Sequence, residues 1–375
     1  MRNRSSSRFR VCAMAVFLFA AAFLVPASMT GDARLYLLAA AVPGLMLLLL
    51  LLPAGFFSLD RPVLAAALTL CALGILAPVF VQPDEAISQS MRCVAALLFL
   101  MAGAVLIRVF RPSVLSAALL SLAALGMIAL PFLFPEAGLS MAQGGTALLI
   151  AAAAAYLSLR LRLPALAVSL AGTMLYLLLR DLPSAFVWGV LSVLVFWASS
   201  GSALWSVISA AATGGLLAGW LLLVPGETDA VRESLLSEIA SMPLFLPEVA
   251  GAEGNASADT LFLLLGNQFG LLFLLGAVLL LGLLLIRGTS LALHARKAFH
   301  ASAAFGAMLF FALRALFFLL ALTDLIPFIP GDFPLLTSSL PQLFAEFFLL
   351  GTLCGVSARN ESDLEEDVRL SMLAH

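Results

Sequence analysis

The sequence is poor in charge. Only 11% of its 375 residues are Asp, Glu, Lys or Arg, while 63% are hydrophobic and the mean hydropathy is +1.13. A soluble chain carries about one quarter charged residues, so a soluble globular fold is excluded and the chain reads as a polytopic membrane protein. Histidine is scarce as well. His294, His300 and His375 are scattered along the chain, two of them in a basic loop, which excludes a histidine-rich metal centre. The four cysteines (Cys12, Cys71, Cys93, Cys354) all sit in apolar runs without a CxxC or other ligand spacing. They read as small residues facing lipid or core. There is no Gly-rich loop of the GxxxxGK type and no GxGxxG beside a strand, which excludes a nucleotide-driven machine. No nucleic acid is expected as a partner.

What the chain does have is long apolar runs. A spanning helix needs about 20 mostly apolar residues. Twelve candidates satisfy this: 11–28, 35–57, 62–82, 93–109, 114–134, 144–158, 164–180, 184–199, 203–223, 260–286, 301–323 and 339–357. The fold class is all-α, a polytopic helical bundle, with 144–158 and 184–199 short enough to border on re-entrant length. Basic residues orient it. With a cytoplasmic N-terminus, 14 of the 19 Lys and Arg residues fall inside and 4 outside (Arg34, Arg92, Arg180 and Arg232), while Arg314 lies within a helix. Both termini are then cytoplasmic, and the 224–259 loop faces the opposite side. The membrane expected is the cytoplasmic membrane. Basic Met1–Arg10, the apolar run after it and Pro26-Ala27-Ser28 resemble a signal peptide. The run is nevertheless long enough to span, and a membrane anchor is the expected outcome.

The outer loop is acidic, and its first half spaces Val231, Leu235, Leu236 and Ile239 on one helical face. A short amphipathic helix on the outer surface is expected there, the other reading being a solvated connector. Residues 360–375 read as an acidic, solvated tail. The loop ends at Asp259, a carboxylate at the mouth of the 260–286 run.

Ionisable groups at membrane depth are functional candidates. Arg314 in FFALRALFF and Glu346 in QLFAEFFLL both fall about 15 Å from the outer end of their helices. They are expected to pair across adjacent helices, either as an internal brace or as the lining of a polar cavity that opens outward. Asp181 precedes Leu182-Pro183-Ser184 and reads as a helix N-cap, on the same outer side as Asp259.

With these residues in view the chain resembles the SEDS family (shape, elongation, division and sporulation), the RodA and FtsW group of peptidoglycan glycosyltransferases, as a divergent member. The family's large outer loop ends close to H-T-D-F-I-F. Here the stretch is Ser257-Ala258-Asp259-Thr260-Leu261-Phe262, followed in register by Asn267-Gln268-Phe269-Gly270, where the family has two glutamates, a residue and a Gly. The family's Q-P-D-L-G-T-A turn is partly matched by Leu179-Arg180-Asp181-Leu182-Pro183-Ser184-Ala185. Its outer L-P…P-L-P-F-x-S segment is echoed by Ile326-Pro327 and Asp332-Phe333-Pro334-Leu335-Leu336-Thr337. Residues 59–359 would supply the ten-helix core, and residues 1–58 a basic tail and two additional helices. The His and Thr before the Asp are Ser257 and Ala258, and the two glutamates are Asn267 and Gln268. The Q-P-S-E-x-x-K motif falls near Gln143-Gly144-Gly145-Thr146 without its Glu or Lys. The Y-G-G-S segment is replaced by Ser338-Ser339-Leu340-Pro341.

The resemblance implies glycan-strand polymerisation from lipid II, in cell elongation or division. An acceptor hydroxyl attacks C1 of a sugar whose leaving group is undecaprenyl diphosphate. Such a reaction needs a base and positive charge. Asp259 is the implied base, its other role being a helix cap. Asp181, Arg180, Arg314, Glu346, Pro334 and Thr337 are the implied substrate-binding residues. No cofactor is expected. A divalent metal on Asp259 is the other conceivable source of positive charge, with no ligand cluster behind it. The implied partner is a class B penicillin-binding protein. Two other classes stay open: a catalytically inactive scaffold that binds such a partner, consistent with the lost polar groups, and a transporter of lipid-linked intermediates.

Overall fold

The computed structural model describes residues 20–25, 27–28, 31–56, 59–79, 83–134, 138–223, 244, 261–323, 325–326 and 332–373. Twelve helices have defined bounds among them. In chain order they are α1 (Ala33–Phe56), α2 (Arg61–Leu76), α3 (Pro83–Val109), α4 (Val114–Leu133), α5 (Gly138–Ser158), α6 (Arg162–Leu178), α7 (Leu182–Ser200), α8 (Ala203–Leu223), α9 (Leu261–Phe269), α10 (Leu271–Leu293), α11 (Ala298–Leu322) and α12 (Leu340–Leu373). Eight helices are long and apolar enough to cross a membrane: α3, α4, α5, α7, α8, α10, α11 and α12. Shorter apolar helices lie at Ala33–Leu48, Arg61–Leu76 and Arg162–Leu178. The chain is a multi-pass, all-helical membrane protein. Most of the first expected span and the amphipathic helix expected within 224–259 lie outside the described residues.

One expectation is corrected. The 260–286 run is not one helix. It breaks at Gly270, whose φ of +87° only glycine adopts freely, into α9 and α10. The acidic tail continues the last helix, since α12 runs to Leu373. Its Glu, Leu, Arg and Met residues are good helix formers, and Glu365 and Arg369 carry the favourable i, i+4 order.

The helix ends follow from local chemistry. Asp60 caps α2, accepting from the Val63 N–H at 3.2 Å, with Pro62 in the first turn. Ser113 and Ser116 form a reciprocal capping box on α4. α5 and α6 close alike, with Arg160 (φ +61°) and Arg180 (φ +60°) left-handed just past their ends. The next amides return to the Tyr156 and Tyr176 carbonyls at 2.9 and 3.0 Å, the Schellman pattern that satisfies the last carbonyls.

The chain divides into two compact units. The first gathers Met1–Ala95, Met242–Arg287 and Leu335–Ser338. In it α2 packs against α1 and α9. Arg287 grips Asp60 with two nitrogens, Nη2 at 2.7 Å and Nε at 3.1 Å from Oδ2. Asp60 precedes the first turn of α2, and Arg287 lies within α10. Buried Gln89 donates to the Thr337 carbonyl at 2.8 Å, and Arg92 reaches Gln89 and Glu85.

The second unit gathers Ala96–Ser241, Gly288–Pro334 and Ser339–His375. Its centre is α5, which packs against α4, α6, α7, α11 and α12. Of its membrane-spanning window 78% is buried, whereas α8 and α4 are 17% and 22% buried and leave apolar faces for lipid. The run Ala151–Ala155 explains the difference. Small side chains let several helices approach one axis, and close packing rather than the hydrophobic effect holds helices together in a bilayer. Elsewhere in this unit α3 and α12 cross at glycine. A Cβ on Gly351 would fall on the Leu100 carbonyl, one on Gly103 on the Phe348 carbonyl, and Gly355 lies against Ala104. Gly351 and Gly355 are spaced as the GxxxG pattern of touching membrane helices.

Candidate functional site

The second unit contains a cavity of about 80 Å³. It is lined by the first turns of α5 (Gln143, Thr146), the α6–α7 turn and start of α7 (Asp181, Ser184, Phe186), the last turns of α11 (Phe310, Arg314, Phe317, Phe318), and Ile326 and Asp332. The cavity thus draws on the early part of α5, the α6–α7 turn, the second half of α11 and the segment after it.

Arg314 supplies its positive charge. Nη1 lies 3.7 Å from Glu346 Oε1, in a pair that is almost fully buried (10% and 0% side-chain exposure). Nη2 donates to the Asp332 carbonyl at 3.2 Å, and the guanidinium stands 5.5 Å from the centre of the Phe310 ring. Gln342, one turn before Glu346, donates to the same carboxylate oxygen at 3.2 Å. The expected pairing of Arg314 with Glu346 across α11 and α12 is therefore present. Buried charges persist when paired and hydrogen-bonded, and each member here has such partners.

Asp181 supplies the acid. It is 7% exposed, and its Oδ1 accepts from the Ser184 N–H at 3.1 Å, the N-cap of α7 expected from Asp181-Leu182-Pro183-Ser184. Oδ2 is buried without a hydrogen-bond partner. Burial pushes the carboxyl above its ordinary range, while hydrogen bonds from Ser184, the charge of Arg314 and the amide of Gln143 pull the other way. Gln143 also keeps Oε1 buried and unpartnered. Fully buried Tyr176 holds the start of α5, donating to the Ala142 carbonyl at 2.8 Å and sharing a 2.6 Å hydrogen bond with Thr146. Trp188 donates to the Ser169 carbonyl at 2.9 Å and locks α7 onto α6.

Of the residues singled out from the sequence, the structure brings together Asp181, Arg314 and, behind Arg314, Glu346. Arg180 is exposed, shapes the end of α6 and does not line the cavity. Pro334 is buried and does not line it either. Thr337 is fully buried in the first unit, where its carbonyl accepts from Gln89. Asp259 lies outside the described residues. Gln143, Thr146, Tyr176, Ser184, Gln342 and Asp332 were not singled out as site residues, because uncharged polar groups in apolar runs and loop residues give little sign of convergence. Among the described residues no three His, Cys, Asp or Glu side chains come together to hold a metal ion.

No protein-family model matches the sequence, and no curated protein matches it. Solved structures do. A peptidoglycan synthase complex, described as coordinating polymerization and crosslinking, contains a chain that is 20% identical with a TM-score of 0.58, over 81% of this chain and 98% of that one. The rod shape determining protein RodA of Thermus thermophilus is 21% identical with a TM-score of 0.57, over 81% of this chain and 98% of its own. A variant of the same RodA matches equally well, at 21% identity and a TM-score of 0.57. With nearly the whole of RodA covered, the chain has the polytopic helical-bundle fold of that protein.

Proposed function

We propose that the chain is a SEDS-like cell-wall protein that polymerises glycan strands from lipid II at the outer face of the membrane. The observation that carries this reading is the polar cavity, with Arg314 and Asp181 on its wall, within a fold that covers nearly all of RodA. Polymerisation transfers the growing strand onto a sugar hydroxyl and releases undecaprenyl diphosphate. The acceptor proton needs a base and the departing diphosphate needs positive charge. Asp259 is the proposed base. Arg314, held by Glu346 and the Asp332 carbonyl, is the proposed cation. The partner would be a class B penicillin-binding protein that crosslinks the strands, in keeping with the synthase complex among the structural neighbours.

A second reading has its own support. Asn267 and Gln268 stand where the family carries glutamates, and Ser257-Ala258 where it carries His-Thr. A chain stripped of these groups would serve as a non-catalytic scaffold for the same partner. Purified protein incubated with lipid II, with and without its cognate penicillin-binding protein, separates the two. Glycan polymer that disappears in Asp259→Asn supports the enzyme. Failure to form polymer, combined with retained partner binding, supports the scaffold.

A further inference from the structure

Two acceptor atoms in the cavity make no hydrogen bond; the Gln143 amide bears on the Asp181 carboxylate without closing one on Oδ2. Asp181 Oδ2 and Gln143 Oε1 are both buried and unpartnered, on side chains that line the same space. A buried acceptor left unpaired carries its full desolvation cost, and native structures seldom tolerate two in one place without a ligand or water to satisfy them. Arg314 lines the cavity too, and its guanidinium contacts Glu346 and the Asp332 carbonyl.

These three side chains narrow the chemistry of what binds. A bare cation would satisfy both oxygens but would face the guanidinium. A bare phosphate or carboxylate would suit Arg314 but has no donors for two acceptors. A group with two adjacent O–H or N–H donors joined to an anion satisfies all three. The aromatic rings of Phe186 and Phe317, edge to face at 6.3 Å, add an apolar wall suited to the C–H face of a pyranose. At about 80 Å³ the space takes one edge of a sugar rather than a disaccharide.

We propose that Asp181 and Gln143 form a sugar-reading subsite, accepting hydrogen bonds from the pyranose next to the diphosphate while Arg314 faces the phosphate. The assignment rests on the lipid-linked substrate proposed above. It makes Asp181 and Gln143 specificity determinants and gives Arg314 a separable role in anion binding.

The test is binding to the full chain in lipid nanodiscs, with lipid II and with undecaprenyl diphosphate, which keeps the anion but lacks the sugar. Gln143→Met and Asp181→Asn should each weaken lipid II binding about tenfold to a hundredfold, the range for losing a buried hydrogen bond to a polar or charged acceptor. Both should leave undecaprenyl diphosphate binding within about twofold. Arg314→Met should weaken both ligands. Gln143→Met removes the acceptor at nearly constant volume, and Asp181→Asn keeps an oxygen for the Ser184 amide, so both variants should fold. Unchanged lipid II binding in these two variants overturns the subsite, with water then filling the space. Equal losses for both ligands overturn it as well, since the residues would then shape the site without reading the sugar. If the wild-type chain binds neither ligand, the proposed function itself fails and this assignment fails with it.

Discussion

Replacing Glu346 by leucine while Arg314 remains should be among the most damaging single changes in the second unit. The carboxylate is fully buried and its Oε1 lies 3.7 Å from Arg314 Nη1. At an effective dielectric constant of about 20, that separation corresponds to an attraction of about 4 kcal/mol. Removing one member of a buried pair leaves the other charged and desolvated, at a cost of about 3–5 kcal/mol. Here the Asp332 carbonyl, the Phe310 ring and the nearby Asp181 still face the guanidinium, so the expected loss is about 3 kcal/mol, the lower end of that range. Arg314→Met alone should cost a similar amount, because it removes the guanidinium from a fully buried carboxylate. The double variant Arg314→Met, Glu346→Leu should lie within about 1 kcal/mol of the wild type, since both desolvation costs vanish together. Reversible unfolding in mixed micelles, followed by tryptophan fluorescence, measures all four corners of the cycle. Single losses below about 1 kcal/mol that simply add in the double variant would refute the pairing as a buried interaction. A double variant that is stable but no longer binds lipid II would separate a functional role from a brace.

Gly351→Leu should prevent the α3–α12 crossing and sharply lower the yield of folded protein, because its side chain would begin at the Leu100 carbonyl. Gly214→Leu, where nothing lies within 4 Å, should be tolerated in the same expression and size-exclusion assay. Leu335→Gly relieves a left-handed residue (φ +64°) but removes a side chain only 1% exposed. The relief is about 1 kcal/mol and the lost burial about 2–5 kcal/mol, so the variant should be less stable by about 1–4 kcal/mol in the unfolding assay. Asp181 has its folded-state pKa raised, chiefly by burial. Its favourable contribution is therefore complete below the unfolded carboxyl value of about 3.9 and is lost as pH rises through the folded value. Asp181→Asn should raise stability at neutral pH, and the gain should shrink toward zero on acidification to about pH 4; a gain that does not change with pH would contradict the burial argument.

Much of the bundle was legible because the bilayer imposes strong rules. The long apolar helices and the pairing of Arg314 with Glu346 both follow from the cost of polar groups in hydrocarbon. Asp181 could be read as a cap because its hydrogen bond is local. Gln143 and Tyr176 could not be read, because they gain meaning only when α5, α6 and α11 converge. The tie between Asp60 and Arg287 joins residues far apart in sequence, and a charge at a helix end carries no sign of its partner. The break at Gly270 was hidden for a different reason. Glycine is common in membrane helices, and only the backbone conformation distinguishes one that interrupts a helix from one that merely packs.

The burial of α5 bears on how the chain is assembled. Its alanine-rich sequence makes it one of the less apolar of the eight spanning segments, and it is the most enclosed. Such a segment gains little from lipid on its own. Four of the helices that surround it, α6, α7, α11 and α12, are synthesised after it. Secure integration of α5 must therefore await residues that have not yet left the ribosome. Truncation before α11 should leave this segment poorly retained at the insertion machinery, although its own sequence is complete.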